Sequence, residues 1–139
     1  MPVTLDASAV AAWLLPDEAS PAADRLYLDA LQASDVFQAP ALWAWETGNL
    51  VATACRRGRI TSAQAGAALQ LLQKARVRLE TPPDGLRMQA TLSLSQTHGL
   101  TFYDASYLEQ ALRTGAQLAS KDSALRRAAL NSGVLCLEL

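Results

Sequence analysis

Residues 3–15 read VTLDASAVAAWLL, and the way this stretch divides decides the fold. Val3 to Leu5 is an apolar run of strand length, and apolar residues then recur at helical spacing through Ala9 and Trp13 until Pro16 stops them. A strand that passes directly into a helix, with a single acid at the turn, opens a layered α/β arrangement.

Working outward, the same alternation continues. A helix is expected over Ala22–Leu31, a short strand near Val36–Gln38, and after Pro40 the segment LWAWETGNLVATACRR forms a helix stopped by Gly58. Thr61–Lys74 is the next helix, Val77–Leu79 a strand, and the breaker-rich TPPDG loop precedes a helix over Arg87–Gln96 that closes at His98-Gly99. The last third gives a helix over Asp104–Arg113, a strand at Gln117–Ala119, a helix over Ser123–Asn131 and a final strand at Val134–Leu137. The expected class is α/β with a central, mainly parallel sheet of about five strands.

A chain of 139 residues with 50% hydrophobic content supports one core, so a single domain over 1–139 is expected. The formal net charge of -1 offers no basic excess, so any nucleic-acid contact has to be local. Cys55 and Cys136 stand far apart in apolar surroundings without a metal-binding spacing, which reads as buried free thiols. The opening MPVTLDASAV lacks the pattern of a secretory signal, and no run approaches the roughly 20 apolar residues that span a bilayer. A soluble, cytoplasmic protein without membrane contact is the expectation.

Four acids fall where helices begin: Asp6 after the first strand, Glu46 in the first turns of the helix from Leu42, Asp104 at the head of DASYLEQAL, and Asp122 just beyond the strand ending at Ala119. In an open parallel sheet these turns lie along one edge, and ligands bind there at the switch in strand order. Taken singly, each acid is equally well read as a helix cap, and Thr101 to Asp104 has the spacing of a capping box. The conjunction is different, because a cap needs no apolar setting and Asp6 and Asp104 lie in VTLDASAV and LTFYDASYL. Gathered carboxylates repel and raise one another's pKa unless a cation compensates, and an all-oxygen donor set selects a hard ion, Mg²⁺ or Mn²⁺.

The segments TLDASAVAAWLL, PALWAWETGNLV, GLTFYDASYLEQAL and AQLASKDSALRRAA resemble, in order and spacing, the four blocks of the PIN-domain family, especially its VapC-like toxins. The resemblance runs from Val3 to Leu137 and implies a three-layer α/β/α fold. It implies that Asp6, Glu46, Asp104 and Asp122 form the metal-binding and catalytic cluster of a metal-dependent endoribonuclease. Ser8 then corresponds to the hydroxyl after the first Asp, Asn49 to the polar residue one turn beyond the Glu, and Ser120 to a position usually held by Thr. Where many relatives have a further acid after the last Asp, this chain has Ser123 and Ala124, a departure at the second metal position. The resemblance also implies a homodimer and a small antitoxin partner covering the site.

Within that frame a metal held by Asp6 and Asp104 lowers the pKa of a bound water and polarises the phosphate, while Glu46 and Asp122 complete the site. Asn49, three residues from Glu46 on one helix face, is expected to orient its carboxylate. Lys121, Arg126 and Arg127 flank the cluster and are the leading RNA contacts; Arg56, Arg57 and Arg59, and Lys74, Arg76 and Arg78, are two further basic groups open to RNA, although cations are also expected in the last turn of a helix. Trp43 and Trp45 offer stacking surfaces, with burial expected for at least one, and Trp13 reads as core or dimer contact. Three other functions compete. A phospho-acceptor switch using Lys121 needs adjacent acids after the first strand, a non-catalytic PIN scaffold needs no complete acid set, and a Ser-His-Asp triad has only His98 and no nucleophile elbow.

Overall fold

The computed structural model describes residues 1–32 and 35–139. Four three-residue strands, β1 (Val3–Leu5), β2 (Phe37–Ala39), β3 (Val77–Leu79) and β4 (Gln117–Ala119), make one parallel sheet in the order β3-β2-β1-β4. Among the described residues seven helices intervene: α1 (Ala7–Leu14), α2 (Pro21–Gln32), α3 (Leu42–Arg56), α4 (Ser62–Lys74), α5 (Gly85–His98), α6 (Phe102–Thr114) and α7 (Ser123–Asn131). They pack as two groups, α1 to α4 and α5 to α7, with the sheet between them and α6 lying on β1 and β4.

The expected final strand at Val134–Leu137 is only partly realised. Leu118 donates to Leu135 O at 2.9 Å and accepts from Leu137 N at 2.8 Å, so the segment meets β4 as an isolated bridge at Cys136 and not as a fifth strand. The turn at Gly133, with φ of +81°, brings the chain back within reach of β4 for only this short stretch. The other elements fall within two residues of the expected bounds. A 3₁₀ turn at Pro16–Glu18 is the further element, placed where Pro16 ends α1.

Every residue of β1 is buried, which is what a strand paired on both sides and covered on both faces requires. Thr4, fully buried, is the polar exception. Its hydroxyl donates to Gln110 Oε1 at 3.0 Å and accepts from Gln38 Nε2 at 3.2 Å, so that hydroxyl is not stranded. Trp13 is core, its indole donating to Ala23 O at 3.1 Å and its ring meeting Tyr27 edge-on. Trp43 is buried, whereas Trp45 is 82% exposed. Cys55 and Cys136 are free and half-buried against the core.

Strand order reverses direction between β1 and β4, since β2 and β3 extend to one side of β1 and β4 to the other. Chains leaving β1 and β4 therefore diverge, and a crevice opens at their carboxyl ends. Among the described residues no helix is long and apolar enough to cross a membrane.

Candidate active site

Asp6 leaves β1 at that crevice, and its amide still pairs with Ala119 O at 2.9 Å. It holds the N-cap position of α1, yet its side chain caps nothing. The carboxylate, 5% exposed, instead accepts two hydroxyl bonds on Oδ2, from Ser8 and from Ser120, each 2.7 Å. Each hydroxyl in turn accepts a backbone amide from the chain leaving β4: Lys121 N to Ser8 at 2.9 Å and Asp122 N to Ser120 at 3.0 Å. With one proton per hydroxyl, both donated to Asp6, the arrangement ties the two strand ends together through a single carboxylate oxygen.

Asp122 does cap its helix, accepting from Leu125 N at 2.8 Å. Asp104 donates its amide to the Thr101 hydroxyl at 3.0 Å, the reciprocal half of a capping box is not formed, and the residue borders the cleft. Glu46, in the second turn of α3, accepts a 2.6 Å bond from the hydroxyl of fully buried Tyr107. All four acids line one open cleft of about 400 Å³, together with Ser8, Asn49, Thr53, Arg57 and Arg59.

Their ionisation is coupled. Burial raises the pKa of Asp6 above its ordinary value, against the lowering effect of Ser8, Ser120 and the Ala7 amide, and Asp122 raises it further. Burial likewise raises Glu46, with Tyr107 opposing and the charges of Asp6 and Asp104 adding. Asp104 is raised by burial and then by Asp6 and Asp122, with Thr101 opposing. Burial, followed by the bond to Glu46, holds the Tyr107 hydroxyl far above its ordinary value, so it stays a donor. Among the described residues, no three Asp, Glu, His or Cys side chains stand close enough as they are to hold an ion. The donor set nonetheless suits a hard divalent cation: oxygen ligands only, with carboxylates that raise one another's pKa across the cleft.

These shifts have a definite sign in stability. A carboxyl whose folded pKa is raised binds its proton more tightly in the native state, so stability falls as pH rises from the ordinary value of 3.8 through the folded one. The penalty is absent below that window and complete above it. In chelator, Asp104→Asn is therefore expected to melt at a higher temperature than wild type at pH 7 and at the same temperature near pH 3. Calorimetric scans across that range test this, and a variant that melts lower at pH 7 would refute it.

Other expected residues are placed differently. The Asn49 side chain is exposed in the cleft, and the bonded partner of Glu46 is Tyr107, three residues after Asp104 and hence on the same face of α6. Arg126 is committed to structure, donating to Ser120 O at 3.0 Å and Leu137 O at 3.1 Å. Lys121 and Arg127 are exposed and do not line the cleft, whose cations are Arg57 and Arg59. His98 meets Ser132 at 3.2 Å, away from the acids.

The family model of the PIN domain matches residues 3–131. The chain belongs to the PIN-domain family. This PIN domain is 30% identical to Ribonuclease VapC3 of Pyrobaculum aerophilum over 125 residues, covering 90% of this chain and 92% of that one. It is 34% identical to Exonuclease VapC9 of the same organism over 84 residues, 60% of each chain. Among solved structures it is similar to PAE2754 from P. aerophilum, with a TM-score of 0.69 and 26% identity over 92% of this chain and 79% of that one. The PIN domain's four-stranded parallel sheet and flanking helices are those of an α/β fold, with one strand fewer than the five read from the sequence.

Proposed function

We propose that this PIN domain is a nuclease that hydrolyses RNA phosphodiester bonds with Mg²⁺ or Mn²⁺, as the toxin of a toxin–antitoxin pair. The observation that carries the reading is the meeting of Asp6, Glu46, Asp104 and Asp122 in one cleft at the strand-order switch. The names of two similar proteins, a ribonuclease and an exonuclease, support the same chemistry. A small antitoxin and a homodimer belong to this proposal through the resemblance to VapC-like toxins.

Asp6 and Asp104 would hold the ion, with Glu46 and Asp122 completing its surroundings. When bound, it would supply a water acidic enough to attack phosphorus and a positive charge for the phosphate oxygens. The chain's own groups do the positioning. Ser8 and Ser120 fix the Asp6 carboxylate through Oδ2. Tyr107 fixes Glu46 in the same way through Oε1, so both acids are preorganised by donors that hold their protons. Glu46, held by Tyr107 and lining the cleft, is a carboxylate that can receive a proton there.

The test uses one RNA in linear and in circular form, incubated with the purified protein in Mg²⁺, in Mn²⁺ and in chelator. Cleavage of both forms that stops in chelator is the expected result and makes the enzyme an endonuclease. Cleavage of the linear form alone would make it an exonuclease. Persistence of cleavage in chelator would overturn the metal requirement, and no cleavage in any condition would favour a scaffold that acts by binding.

A further inference from the structure

The acid cleft is bordered by two arginines whose circumstances differ. Arg59 is already engaged: its guanidinium grips both oxygens of Asp17, at 2.9 and 2.9 Å from Nη2 and 3.2 Å from Nε, and reaches Glu18 at 2.9 Å. Arg57, exposed where α3 ends, makes no side-chain hydrogen bond or ion pair among the described residues. A charge lining a cleft and left without a partner is available to a ligand.

Its position along the helix says which ligand. Glu46, Asn49, Thr53 and Arg57 follow one another at intervals of three or four, and all four line the cleft. They form one polar row along α3, with Arg57 roughly 16 Å beyond Glu46 at a rise of about 1.5 Å per residue. The row runs from the acids, through an amide and a hydroxyl, to a cation. An extended polyanion whose reacting phosphate lies at the acids would pass along that row and bring a later phosphate to Arg57, whose planar fork suits phosphate oxygens. A cation at a helix C-terminus also complements the dipole. Arg56, in the last turn and outside the cleft, serves that purpose without Arg57.

Resting on the nuclease reading above, we propose that Arg57 holds a backbone phosphate of single-stranded RNA a few nucleotides from the scissile bond. The substrate is then a strand laid along α3, and not an isolated phosphodiester. The ion pair of Arg59 with Asp17 and Glu18 forms a fixed wall beside it.

Binding of a short labelled single-stranded RNA is followed by fluorescence anisotropy in Ca²⁺ over a series of salt concentrations, for wild type, Arg57→Ala, Arg57→Lys and Arg56→Ala. Arg57→Ala is expected to weaken binding roughly tenfold and to make the slope of log K against log salt shallower by about 0.7, the loss of one phosphate contact to a single strand. Arg57→Lys keeps the slope, and Arg56→Ala behaves as wild type. In cleavage assays with Mg²⁺, the loss in kcat/KM on Arg57→Ala grows as the substrate lengthens from a dinucleotide. A wild-type slope in Arg57→Ala, or an equal loss in Arg56→Ala, overturns the assignment even where the wild type cuts RNA. Failure of the wild type both to bind and to cut RNA overturns the nuclease reading and this assignment with it.

Discussion

Asp104→Asn is expected to lower RNA cleavage by about three orders of magnitude or more, on the order of 4 kcal/mol of transition-state stabilisation. The substitution keeps the shape of the side chain and the amide bond to Thr101 that starts α6, so the helix is not its target. It removes one of the four negative charges that make the cleft a place for a divalent cation. A protein that binds Mg²⁺ or Mn²⁺ only when folded gains about 2.7 kcal/mol at a hundredfold excess over Kd. Thermal scans with and without metal should therefore show a large upward shift for wild type and a small one for the variant. Identical cleavage by the two proteins, prepared side by side, would remove Asp104 from the reaction and point to a contaminating nuclease. Retained metal stabilisation with lost cleavage would assign Asp104 to the chemistry and not to ion binding.

The second large effect is on the fold. Leu5 is fully buried in β1, pairs across to Ala119 of β4, and immediately precedes Asp6. Leu5→Ala is expected to destabilise the protein by about 2–5 kcal/mol, the transfer term for the lost side chain plus the void it leaves in the core. That is a large part of a total stability of about 5–15 kcal/mol. Leu86, 79% exposed in the first turn of α5, is the control: Leu86→Ala should stay within about 0.5 kcal/mol of wild type. Urea denaturation followed by circular dichroism measures both, and equal midpoints would contradict the placement of β1 at the centre of the core.

The contrast between these two leucines shows what was legible in the sequence. Period and breakers located the elements, because a strand buried on both faces is an apolar run and a surface helix carries an apolar stripe. Asp6 and Asp122 were legible for the same reason: each stands where such a run meets such a stripe. VLCLEL has the apolar content of a strand but forms only a bridge at Cys136, because composition does not state how far the pairing with β4 extends. Side-chain direction was harder still. Asn49 and Tyr107 both lie one turn from an acid, and only packing decides that the buried phenol meets Glu46 while the amide faces solvent. Arg126 is four residues from Asp122 along α7, yet its guanidinium turns to the carbonyls of Ser120 and Leu137, while Arg57, remote in sequence from every acid but Glu46, borders the cleft.

The bond between Asp6 and Ser120 joins residues 114 apart in the chain. Contacts of such separation form late, because the loop between them has to be closed before they repay its entropy. During synthesis Asp6 leaves the ribosome early, but the hydroxyl that seats it follows 114 residues later, with β4 beginning only at Gln117. A nascent chain arrested before that point is expected to carry Asp6 without its partners and to leave the surrounding RNA, the ribosome's own included, uncut. The order of translation thus delays the assembly of the cleft until β4 and Ser120 have been made.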